Sequence, residues 1–571
     1  MNLAQPLMKI LWRTGAIVLV MVAVFLLATH FRGASALAKW QRQMRLHGAK
    51  LSIDELAPPP GPHNDTNLIE LQRAAGRLET RAIIPAEFAT IVFTAPGRAE
   101  ASWALTELHC DSGKIVDWSK VRSEMEAARD DLDRIGSVLI HPSPNNDLDY
   151  HDNTVVRNYV ASRVAAQWLA GAILYELHEG RLARAQKHLS TSINLIRLHK
   201  DELTLVNQMI RVAIANLELE TTWTALQAPG WTDATLAELQ HDWESVQFLE
   251  KFAPSMWMER AQRATFFAEA RKKGIENVRS RVVWGATPSR SWEGIFRRRV
   301  LDPAWRMMWA DADELYFWQS TQPGLDAVNR AVQHKSYRRL RSELLGTVYQ
   351  STASLTGYDS LRYRLSILLK PNFLRAHESV MRAETQRNLT VAAIAIQRHQ
   401  LRHGGPPPNL AALVPEFLES VPIDYMDGQP LRYRLEADGG FCLYSVGLDG
   451  QDDGGDSQPA APWRKYSDAW DGRDNAWPRR TSEKQEESAP AKPLPLVVFE
   501  KAPLVPVLKT LARQADMNIA FDPNVNWGSS PPVSLRLENV TAEDVLKAVL
   551  NNCNLTMTRQ PGTNLVGITT K

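Results

Sequence analysis

The stretch TGAIVLVMVAVFLLATHF, from Thr14 to Phe31, carries no charged side chain, and Arg32 closes it. With Ile10, Leu11 and Trp12 added, it approaches the ~20 residues that a helix needs to cross a bilayer, with Arg13 snorkelling toward one interface. No other run in the 571 residues is comparably apolar, so one span is expected and the rest of the chain lies on one side of it. Lys9 and Arg13 precede the run, but Arg32, Lys39, Arg42 and Arg45 follow it, so the count of basic residues does not decide orientation. Ala34-Ser35-Ala36 is an acceptable cleavage site, although Arg32 separates it from the apolar stretch. The reading adopted is an uncleaved signal anchor over 14–31 behind a short tail, 1–13, and a cleaved signal peptide is the alternative. Either way the bulk is expected outside the cytoplasm, as a single-pass protein of a bacterial inner membrane with a periplasmic body.

Lys and Arg total 66 against 64 for Asp and Glu, a balance that excludes a globally basic nucleic-acid binder or an acidic-tail protein. Cys110, Cys442 and Cys553 are odd in number and far apart, so they build neither a disulfide framework nor a CxxC zinc site. A length of 571 residues suggests three or four structural units.

Residues 51–65, LSIDELAPPPGPHND, interrupt any helical pattern, and 32–116 as a whole reads as linker and irregular structure. From 117 to 373 the periodicity predicts an α-helical body. Val156, Val160, Val164, Trp168, Ala172 and Tyr175 form one stripe, and Leu182, Ala185, Leu189, Ile193 and Ile196 a second. Val206, Met209, Ile210, Ala213 and Leu217 form a third, and Thr232 caps a fourth helix with Leu236, Leu239, Trp243 and Val246. Short turns between such helices give antiparallel hairpins. Trp168, Gly171 and Tyr175 suggest a tetratricopeptide solenoid, but the glycine is one position off and no second copy follows, so an irregular helical scaffold is expected.

Three clusters in the helical stretch from 117 to 403 invite a functional reading. Asp147, Asp149, His151 and Asp152 resemble a metal loop without its fixed spacing and read better as a polar connector. His399 and His403 stand one turn apart in HQLRH, which lacks the glutamate of a zinc peptidase helix. Between Arg279 and Arg306, seven arginines face only Glu293 and Asp302, interleaved with Trp284, Trp292, Phe296 and Trp305. Arg297, Arg298, Arg299, Trp292 and Trp305 are thus candidates for contact with an anionic surface, either lipid head groups or an acidic partner. The plainer alternative is a solvated loop that packs its tryptophans on the scaffold.

The segment 374–478 carries a family signal. A helix ending RHQLRHGG precedes PPPNLAALVPEFLESVPIDYMDGQPLRYRLEADGGFCLYSVGLDGQDDGGD, in which Leu431, Tyr433 and Leu435 alternate before a turn at Asp438-Gly439-Gly440. It resembles the globular part of type II secretion major pseudopilins, as found in membrane-anchored proteins of planctomycete or verrucomicrobial type. Asp449, Asp452, Asp453 and Asp456 crowd one loop, where carboxylates repel unless a cation screens them, and calcium takes six to eight oxygens from flexible loops. The resemblance implies calcium on Asp449, Asp452 and Asp453, with Asp474 as the closing ligand; a solvated acidic turn is the alternative. The apolar span lacks a prepilin cleavage signature, so the chain is not itself a pilin subunit.

After a charged, proline-rich linker at 479–495, the residues 496–571 alternate strand and helix. The phrases VVFEKAPLVPVLKTLARQADMNIAFDPNV and VSLRLENVTAEDVLKAVL are similar to the secretin and TonB short N-terminal domain, a βαββαβ module. That resemblance implies a periplasmic docking module without chemistry of its own. No nucleophile elbow, Walker loop, dinucleotide fingerprint or metal-peptidase helix is found anywhere, so no enzymatic activity is expected. The fold class expected is multidomain: one transmembrane helix, a mainly α-helical hairpin body and two small α+β domains. The function expected is binding or assembly in the cell envelope, with secretin- or pilus-type partners of type II secretion or type IV pilus machinery. A periplasmic ligand-binding sensor or scaffold is the runner-up, and an enzyme of unrecognised type comes third.

Overall fold

The computed structural model describes residues 4–59, 66–79, 92–95, 98–109, 115–140, 149–151, 159–282, 291–343, 355–370, 373–436, 439–458, 470, 472–477, 494–515, 517–522, 532–553, 555–559 and 565–570. It is mostly helical with a few small sheets, and it divides into two compact units, Met1–Gly455 with Ala476–Pro478, and Asp456–Asn475 with Arg479–Lys571.

The first unit opens with α1 (Ala4–Leu46), which does not stop at the end of the apolar run. Beyond Phe31 it turns one face onto protein: Leu37 is buried with Trp305, Ala310, Phe317 and Trp318, and Trp40 lies 5.8 Å from Trp318, ring to ring. Gly33 permits this approach, because a Cβ there would meet the Ala312 backbone nitrogen at 3.2 Å. The interval read as irregular therefore begins inside a helix. It also contains α2 (Ile53–Leu56), with Ser52 and Glu55 in a capping box, α3 (Thr66–Glu79) and four short strands, β1 (Val92–Ala95), β2 (Arg98–Glu100), β3 (Leu108–His109) and β4 (Ile115–Val116), paired as two hairpins.

The helical body follows as α4 (Trp118–Leu139), α5 (Tyr159–His178), α6 (Leu182–Leu198), α7 (Leu205–Ala225), α8 (Asp233–Glu244), α9 (Leu249–Lys273) and α10 (Ile275–Val282). Gly180, at φ 71°, turns α5 back onto α6, and Thr232 caps α8 through the Thr235 amide. α5 is the central helix, buried on nearly every face from Ala165 to Leu177. Its entry differs from the expected stripe, since Val160 is exposed; Val156 lies outside the described residues.

α7 reverses the expected face. Val206 and Ala213 point outward, while Asn207, Gln208, Arg211, Glu218 and Thr222 are buried together with Val212, Ala215 and Leu219. The apolar count favoured the wrong stripe because the buried one is held by polar side chains whose hydrogen bonds replace those to water.

After α11 (Trp292–Phe296), a π-helical turn (Arg297–Leu301), α12 (Asp302–Met308) and α13 (Ala310–His334), the long helix Phe373–His403 packs against α7, α8 and α9. Its residues Leu389 and Val391 through Ile396 are almost wholly buried. The sheet β5 (Arg432–Leu435), β6 (Phe441–Ser445) and β7 (Asn475–Trp477) follows in that order, with Ala476 and Trp477 belonging to this unit. The helix and hairpin of the segment from 374 onward fall, up to Gly455 and at Ala476–Pro478, in the first compact unit. A helix this deeply buried cannot leave the body without exposing its apolar surface.

In the second unit, β8 (Leu494–Ala502), helix Leu504–Gln514, β9 (Asn518–Phe521), β10 (Val533–Val540), helix Ala542–Asn552, β11 (Leu555–Arg559) and β12 (Leu565–Thr570) succeed one another. β8 pairs antiparallel with β10; β12 is the middle strand of three, antiparallel to β11 and parallel to β9. Leu508, Leu511, Val545, Leu546, Val549 and Ile568 form its core. Thr541 caps the second helix by accepting from the Asp544 amide at 3.2 Å. Residues 479–493 of the linker expected over 479–495 lie outside the described residues, its last two residues, Leu494 and Pro495, begin β8, and the turn at Pro561-Gly562 also lies outside them.

Candidate functional site

The arginine–tryptophan segment separates into an inside and an outside. Trp305 is fully buried, and its indole N–H donates to Asp313 Oδ2 at 2.8 Å. It belongs to the core with Leu37 and Phe317, which removes it from any contact surface. Trp292 faces solvent, 78 % exposed, on the turn that Ser291 caps through the Gly294 amide. Arg297 pairs with Glu293 one turn back, and Arg298 and Arg299 follow on the π-helical turn. Trp284 and Arg290 lie outside the described residues.

The acidic loop is laced to its neighbours by guanidinium groups. Arg432 contacts Asp427 Oδ2 at 2.5 Å, Asp424 Oδ2 at 3.5 Å and Asp452 Oδ2 at 3.6 Å. Tyr444 donates to Asp452 Oδ1 at 3.0 Å, Arg338 to the Gly450 carbonyl at 3.1 Å, and Arg434 to the Gly454 carbonyl. Asp449 accepts from the Gln451 amide at 2.9 Å, an Asx turn, and Asp453 is exposed. Asp474 falls in the second unit, buried, its amide donating to the Asp456 carbonyl at 2.9 Å. Among the described residues no three His, Cys, Asp or Glu side chains converge as a metal site requires.

His399 and His403 sit with ring centroids 4.5 Å apart beside Phe417; Gly405 O lies 2.9 Å from His399 Nδ1, and Glu416 lies 3.4 Å from His403 Nε2. Asp149 accepts from the His151 amide, and His151 Nε2 lies 2.8 Å from Asp54 at the exposed tip of α2; Asp147 and Asp152 lie outside the described residues.

Several buried polar groups escaped the sequence reading. His199 bridges Asn207 Oδ1 at 2.8 Å and Ser162 Oγ at 2.9 Å. This is the order of nucleophile, base and orienter, but Ser162 is 2 % exposed, so the network ties α5, α6 and α7 together instead of presenting a hydroxyl. Carboxylates cap distant backbone in the same way. Glu384 accepts from the Phe248 and Leu249 amides, Asp313 from those of Leu365 and Ser366, and Asp424 from those of Met426 and Val446. Burial raises both Asp313 and Asp424 to about 6 against the pull of these donors. Burial alone holds Glu218 at about 8, with the Ser192 hydroxyl its one polar influence, and presses His377 down to about 3 beside Phe252.

No family model, curated protein or solved structure matches the chain.

Proposed function

We propose that the chain is a single-pass membrane-anchored envelope protein that binds and positions other proteins. Its terminal α+β domain serves as the docking module for secretin- or pilus-type components.

The observation that carries anchoring is the surface of α1. Ile17, Val18, Val20, Met21, Val24, Phe25, Leu27 and Phe31 are each more than half exposed. A continuous apolar helix surface of this length is solvated by hydrocarbon and not by water. The side chains of Trp12 and Arg13, expected at one interface, lie outside the described residues. Retention without cleavage is supported by the position of Ala34-Ser35-Ala36 between Gly33 and Leu37, both packed on the body. Docking is supported by the edges of the terminal sheets: β9 and β11 flank β12, and among the described residues β8 and β10 pair only with each other, leaving backbone donors and acceptors for strand addition.

Protease added to whole cells, spheroplasts and lysate tests this reading. The C-terminal domain is expected to survive in whole cells and to be cut in spheroplasts. Digestion only after lysis would overturn it. Membrane pull-down of the full chain is expected to recover a secretin or pilus component, and its consistent absence would remove that partner class.

A further inference from the structure

The exit of α1 from its apolar stretch coincides with the start of α13. His30 Nδ1 lies 3.7 Å from Asp311 Oδ2, and Gly33 abuts Ala312. α12 also packs on α1, so Asp302–Met308, the C-terminal part of the segment Trp292–Met308, lies against the helix that carries the apolar run.

That segment has two faces. Trp305 and Asp302 are buried against the body. On the other face Trp292, Phe296 and Val300 follow at four-residue intervals, joined by Met307, each more than two-fifths exposed. Arg297, Arg298 and Arg299 border this apolar row, and Glu293 is the one acid on the outer side. An aromatic and aliphatic row edged by cations, on a segment whose end packs on an apolar helix, is the pattern of a helix seated in a bilayer interface. Arginines beside an anionic surface are drawn to it electrostatically.

We infer that Trp292–Met308 is a second membrane contact. It is an interfacial helix that lays Trp292, Phe296 and Val300 at the acyl boundary and sets Arg297–Arg299 on anionic lipid head groups, which fixes the tilt of the body against the bilayer. Lipid is favoured over an acidic protein because α12, the end of the same segment, packs on the helix that carries the apolar run. The inference rests on the anchoring reading above.

The test uses the full chain in nanodiscs of phosphatidylcholine with phosphatidylglycerol, carrying a photo-crosslinking benzoylphenylalanine in place of Val20 or of Phe296. Both positions are expected to capture lipid. The combined change Arg297→Glu, Arg298→Glu and Arg299→Glu is expected to abolish capture at 296 and to leave capture at 20 unchanged, as are discs of phosphatidylcholine alone. Lipid capture at 20 with only solvent or protein capture at 296 overturns the interfacial helix while leaving the anchor in place. Failure at 20 overturns the anchor, and the interfacial helix with it.

Discussion

Asp313 illustrates how single carboxylates hold this fold. It is fully buried yet receives the Trp305 indole, the Leu365 and Ser366 amides and the Ser366 hydroxyl. Asp313→Ala leaves those donors buried without an acceptor and is expected to cost about 3 kcal/mol, read as a lower denaturant midpoint, while Asp313→Asn loses less. Glu218 is the opposite case, a carboxyl with almost no help. Its folded value near 8 lies above the ordinary 4.5, so the folded state holds a proton that the unfolded state releases. Its contribution to stability is greatest below about 4.5 and is lost as pH climbs toward 8, a span on the order of 5 kcal/mol. Glu218→Gln should remove that slope, so the difference in urea midpoint between variant and wild type should widen as pH rises from about 5 to about 9. A constant difference would contradict it. None of these groups was legible in the sequence. A buried Asp on a helix has no pattern, because its partners come from chain segments tens of residues away.

Among elements, the sequence was readable where one signal dominated. Thr232 does cap the helix that follows it, because a cap is a local arrangement within four residues. α7 was misread because its buried stripe is polar. The arginine–tryptophan segment was read only as a mixture, since spacing does not say which tryptophan turns inward. The acidic loop was legible as a cluster of charge, but not the distant arginines that meet it. Arg432→Met strips Asp424, Asp427 and Asp452 of their shared cation and is expected to cost about 3 kcal/mol in a thermal or denaturant melt. With Arg432, Arg434 and Arg338 already on the loop, chelation of divalent cations is expected to leave the melting midpoint of the intact protein unchanged. A chelator-sensitive midpoint would return calcium to Asp449, Asp452 and Asp453.

At the scale of the whole molecule, one apolar helix is both a candidate span and a packing element of the first unit. Its C-terminal turns bury Leu37 against Trp305 and Phe317, so the helix that carries the apolar run also packs as part of the first unit. Replacing Gly33 with Val is therefore expected to loosen the packing of this helix on the first unit, seen as faster proteolysis of that unit, because the added side chain presses on the Ala312 backbone. The most direct measurement is the intact mass of the protein recovered from carbonate-washed inner membranes. Retention of residues 1–36 in the membrane pellet is the result expected of an anchor. A mature chain beginning after Ala36 and released into the wash would contradict it.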